Sequence, residues 1–128
     1  METHSTISSV AILHPNGIVE TKVREDWNEP DTVETVTAHA LLIKKVIDGK
    51  RRGLLAVLPR MHMKRDLLEV YSNIDMDEVA TAFLVNSFGA KVLGNLVLRI
   101  KKTTTPARLF TNRAAAEAWL LKLMAAEE

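Results

Sequence analysis

Cysteine is absent from the 128 residues, which excludes disulfides, thiolate catalysis and sulfur-ligated metal sites together. Net charge is nearly absent too. The 17 Lys and Arg against 16 Asp and Glu leave a formal +1, so no broad field attracts nucleic acid or an anionic membrane. No apolar run approaches the roughly 20 residues that span a bilayer. Residues 1–6 lack the cationic and apolar regions of an export signal, and a cytoplasmic protein without membrane attachment is the expectation. Pro/Gly/Ser-rich linkers, low-complexity tracts and internal repeats are also missing, which predicts one domain over 1–128, large enough for a real core.

Catalytic signatures are likewise absent. His4, His14, His39 and His62 lack the H-x-x-x-H or H-x-H spacing that brings two imidazoles to one metal, and no carboxylate cluster accompanies them. The chain has no G-x-x-x-x-G-K-[ST], G-x-G-x-x-G or G-x-S-x-G, so nucleotide cradles and a nucleophile elbow have no support. His62 and Asp66 stand four apart, as a base and its orienter would, but no nucleophile completes them. A non-enzymatic protein without metal or cofactor is expected.

What is present is alternation of strand and helix signals. Residues 9–13 form a short apolar segment, and His14-Pro15-Asn16-Gly17 supplies turn chemistry for a β-hairpin. In the return strand Val19, Thr21 and Val23 alternate with Glu20, Lys22 and Arg24, which predicts one wet face and a place at or near a sheet edge. Asp31 with Glu34 three residues on reads as a capping box, opening a helix whose apolar stripe is Val33, Val36, Ala40, Ile43 and Ile47. Asp48-Gly49-Lys50 ends it.

After a basic loop, the continuous apolar run 54–58 predicts a central parallel strand, stopped by Pro59. A more polar stretch at 63–71 predicts a short helix seated by Leu67, Leu68 and Tyr71, with a turn at 73–78 and a second buried strand at 79–85. Phe88, Val92, Leu93, Leu96 and Ile100 then mark a third helix, broken at 103–106 before proline. A last strand at 108–110, a cap at Thr111 or Asn112, and a helix burying Ala116, Trp119, Leu120 and Leu123 complete the order ββαβαβαβα. Parallel strands need crossover connections, so this order predicts an α/β fold with a mixed sheet, an N-terminal hairpin and four helices. Trp27 and Trp119 read as core or edge-sealing residues, not ligand stackers.

The strand 54–58, the Val85-Asn86-Ser87 turn, Gly94-Asn95, and above all Pro106-x-Arg-Leu-Phe-Thr followed by Ala118-Trp119-Leu120 resemble the small bacterial STAS-like proteins. These are related in fold to the SpoIIAA anti-sigma-factor antagonists, and the branch in question has no established function. The likeness covers about Leu54 to Leu123. It implies a βα superhelix and a non-catalytic role in protein contacts, self-association included, or in ligand sensing. One departure bears on mechanism: the antagonists carry a phosphorylatable serine after the strand matching 54–58, whereas Pro59-Arg60-Met61-His62-Met63-Lys64-Arg65-Asp66 has no hydroxyl side chain. A phosphoswitch of that kind is not expected here.

Two candidate ligand sites follow from strand ends, where open α/β sheets place ligands. Arg60, Met61 and His62, with Lys64, form the first, an anion site against a bland reading as a solvated basic loop. Asn86, Ser87 and Lys91 at a helix start, with Asn95 and Arg99 along the same helix, form the second, against a reading as a cap and a polar face. Gly94 inside that helix costs about 1 kcal/mol relative to alanine. It points to a close approach by another helix, a second subunit or a ligand. A protein partner is the leading expectation, and a small apolar or anionic ligand the alternative.

Overall fold

The structure is a computed structural model and describes residues 1–30, 32–57, 67, 70, 73–85 and 105–126. Its elements are β1 (Glu2–Ser5), β2 (Ser9–Leu13), β3 (Ile18–Val23), α1 (Val33–Ile47), β4 (Gly53–Val57), β5 (Thr81–Leu84), β6 (Ala107–Phe110) and α2 (Arg113–Ala125). The six strands form one sheet in chain order. β1, β2 and β3 pair antiparallel, whereas β3 to β6 all run parallel. The mixed α/β class is as expected, and the apolar runs read at 54–58 and 79–85 contribute β4 and β5, which are adjacent and parallel with Leu54 opposite Thr81. The helices expected at 63–71 and 86–100 fall mostly or wholly outside the described residues; within the first, Leu67 and Val70 are helical and Leu67 is buried.

Three expectations are corrected. The N-terminal unit is a three-stranded meander and not a two-stranded hairpin, because residues 2–5, polar and without apolar periodicity, pair along β2. Thr6 Oγ1 accepts from the Ser9 amide at 3.1 Å and holds the turn that makes this pairing. Secondly, β3 lies between β2 and β4, away from either edge, and its supposed wet face is covered: Glu20 is 4% exposed. Thirdly, α1 is capped by Thr32, whose hydroxyl accepts from the Thr35 amide while Thr35 Oγ1 accepts from the Thr32 amide, a capping box one position later than Asp31 and Glu34. Asp31 itself lies outside the described residues, and Val33, in the first turn, is exposed.

The hairpin turn forms as its residues dictate. Pro15 and Asn16 occupy the turn centre, the Gly17 amide donates to His14 O at 3.0 Å, and Gly17 takes φ 91°, the left-handed residue of a three-residue loop. The sheet separates two apolar layers. On one face α1 sets Ile43, Val46 and Ile47 against Ala11, Val19 and Leu54. On the other α2 sets Ala116 and Leu120 against Ile18, Leu55, Ala80 and Ala82, with Trp119 half-buried against Phe110. Each fully buried Ile or Leu contributes about 1.5–3 kcal/mol. No helix among the described residues is long and apolar enough to cross a membrane.

The basic loop before β4 caps both helices. Arg51 donates to the carbonyls of Leu123, Met124 and Ala126 at 2.9–3.1 Å, and Arg52 donates to Val46 O at 2.6 Å. Each cation thus meets the carbonyl end of one helix, where unsatisfied acceptors and the helix dipole favour it. A β-carbon on Gly53 would lie 3.1 Å from Leu120 and Met124, so this glycine lets the end of α2 approach β4. Arg51→Ala is expected to destabilise the fold by about 1–2 kcal/mol. The check is chemical denaturation with hydrogen exchange, which should show faster exchange confined to the last turn of α2.

Candidate functional site

The site grows from Glu20. On β3, Ile18, Glu20 and Lys22 share the face that α2 covers, and register places Ile12 beside Glu20 and Val10 beside Lys22. A carboxylate at a buried sheet position must be compensated or its desolvation cost stands. His14, from the hairpin turn, donates Nε2–H to Glu20 Oε1 at 2.9 Å. Arg113, the first residue of α2, grips the same carboxylate with two nitrogens, Nη1 to Oε2 at 3.3 Å and Nη2 to Oε1. Burial alone would raise the Glu20 pKa; the Arg113 and His14 hydrogen bonds and the charges of Arg113 and Lys22 outweigh it and hold it below the usual value of 4.5.

This cluster is a clamp and not a catalytic base. Both Glu20 oxygens are occupied, and Arg113 is further held by Glu117 at 3.9 Å. Sequence reading missed it because Glu20 sits in an alternating strand that looks wet. A usable signal lay in α2: Arg113 is a cation at a helix start that has no acidic residue in its first turn, where the dipole disfavours it, so another partner must hold it.

Beyond the clamp, the same sheet face opens into a groove of about 480 Å³. Val10 and Ile12 supply its apolar surface, with Thr3 from β1 on one side. Its charged rim consists of Lys22, Arg24, Glu25 and Asp26. Arg24 and Asp26 neutralise one another through two contacts at 2.9 and 2.8 Å, and Arg24 also donates to Thr6 O at 3.1 Å.

The sequence-predicted residues Arg60, Met61, His62, Asn86, Ser87, Lys91 and Asn95 all lie outside the described residues, as does Gly94. The strands leading to them are described: Val57 and Leu84 are register partners, so the chain leaves the sheet toward both segments from neighbouring strands. No group of three metal-ligating side chains occurs among the described residues. His39, on α1, is 5% exposed and its pKa is lowered by burial from 6.5 to about 4.

A family model described as a domain of unknown function (DUF7793) matches residues 63–124. No curated protein and no solved structure matches the chain. The matched segment contains β5, β6 and Arg113, whereas Glu20, His14 and the whole groove precede it.

Two titrations in different pH windows test this account. His39 favours its neutral form in the fold, so its contribution is complete above pH 6.5 and is lost as pH falls toward about 4; that loss amounts to roughly 3 kcal/mol. Glu20 has a lowered pKa, so its contribution is complete above 4.5 and disappears only below that value. In urea midpoints measured against pH, His39→Phe should flatten the upper window and Glu20→Gln the lower one. At neutral pH, Glu20→Gln and Arg113→Met are each expected to cost about 1–3 kcal/mol. The double variant should cost clearly less than their sum, and strict additivity would show that the clamp does not couple them.

Proposed function

We propose that the protein is a non-enzymatic, STAS-like binding module that acts in bacterial regulation by contact with another protein, a second copy of itself included. The observation that carries this reading is the unequal cover of the sheet among the described residues. On the face of Glu20, α2 packs over β3 to β6, while the β1 and β2 half offers the half-buried Val10 and Ile12. β1 is a sheet edge with all four residues exposed, and Ile7, in the turn that follows, is 68% exposed. Such an edge has backbone donors and acceptors available for an added strand, and the apolar residues beside it give that strand a surface to read. The STAS-like reading is supported by the sequence likeness, and the sheet carries its coarser part alone, a mixed α/β fold with a helix on each face.

Size-exclusion chromatography with light scattering, and a pull-down from bacterial lysate, test the proposal. The expected result is a dimer or a retained partner that Thr3→Arg, on the open half, removes without changing stability. A strict monomer that retains nothing, or retention indifferent to Thr3→Arg, overturns it.

A further inference from the structure

The groove on the open half of the sheet has a charge inventory that selects its occupant. Of the four charged groups on the groove's rim, Arg24 and Asp26 cancel one another. Glu20, the neighbour of Lys22 on the same face, is taken by Arg113 and His14. Lys22 and Glu25 make no ion pair among the described residues. The groove therefore presents one cation and one carboxylate without ion-pair partners among the described residues, beside an aliphatic surface of Val10 and Ile12.

A simple anion would gain Lys22 and meet repulsion from Glu25; a simple cation would do the reverse. A small zwitterion with an apolar chain satisfies both and covers the aliphatic surface. We propose that the groove binds a free α-amino acid with an aliphatic side chain, its carboxylate on Lys22, its ammonium on Glu25 and its side chain against Val10 and Ile12. Lys22 and Glu25 stand three residues apart at the end of β3, at most about 11 Å between Cα atoms. That spacing lets two long side chains close on the two ends of one small ligand.

The experiment is titration of the full chain with L-leucine, with 4-methylpentanoate, which lacks the ammonium, and with isoamylamine, which lacks the carboxylate. Calorimetry gives the affinity and amide NMR shifts give the place. Saturable leucine binding is expected, with shifts centred on Thr3, Val10, Ile12 and Lys22 and with either analogue weaker by about tenfold or more. Lys22→Met and Glu25→Gln should each weaken leucine by about tenfold, and Glu25→Gln should tighten 4-methylpentanoate by removing the repulsion. Absence of saturable shifts, equal affinity for leucine and 4-methylpentanoate, or shifts centred away from the groove would overturn the proposal. Leucine bound in the groove of a protein that stays monomeric and retains no partner upholds this site and removes the partner reading alone.

Discussion

A carboxylate buried in an apolar sheet face is the constraint around which this molecule is arranged. Glu20 has almost no contact with water, and taking a charge out of solvent costs several kcal/mol unless partners replace the lost hydration. The replacement comes from two places distant in sequence, the hairpin turn at His14 and the first turn of α2 at Arg113. Arg113 reaches Glu20 only if the start of α2 sits over β3. The clamp therefore fixes where α2 begins, with β3 to β6 beneath it and, among the described residues, β1 and β2 beyond it. The open half of the sheet, and the groove on it, follow from the position of one buried charge.

The opposite end of α2 is fixed by different chemistry. Arg51 collects three carbonyls there, and Gly53 omits the β-carbon that would hold Leu120 and Met124 away from β4. A helix tied at both ends has little freedom to rotate or slide, which keeps Ala116 and Leu120 over Leu55 and Ala82. Arg52 performs the corresponding service for α1. Two adjacent arginines, one serving each face of the sheet, link the two layers through a single short loop.

The strands and helices with strong periodicity were legible in the sequence. The runs at 54–58 and 79–85 are long, apolar and bounded by breakers, and they pair as expected because a strand covered on both faces has few alternatives. Residues 2–5 gave no signal, since Glu, Thr, His and Ser in an exposed edge strand owe their conformation to the ladder with β2 and not to burial. Glu20 misled for the opposite reason: period-two alternation reports polarity, and polarity equals exposure only where no distant residue neutralises the charge. Arg113 is 93 positions away, beyond the reach of any local pattern. The basic loop was visible as a loop, but its role required knowing that two helix ends converge on it. Of the candidate site residues, those at the strand ends lie outside the described residues, and the groove was not legible because its walls come from three strands, one of which the periodicity did not reveal.

The extent of the family match carries a physical consequence. The matched residues 63–124 include Arg113 but neither Glu20 nor His14, so the cation of the clamp lies within the matched segment and its carboxylate outside it. An arginine at a helix start is unfavourable on its own account. Within the matched segment Arg113 meets Glu117 at 3.9 Å, whereas the carboxylate that it grips with two nitrogens is supplied by β3. The dependence also runs the other way, because α2 both shields Glu20 from water and brings the Arg113 that, with His14, compensates its charge. The N-terminal meander and the C-terminal helix are for this reason one cooperative unit, and the open half of the sheet is held in place by the half that α2 covers.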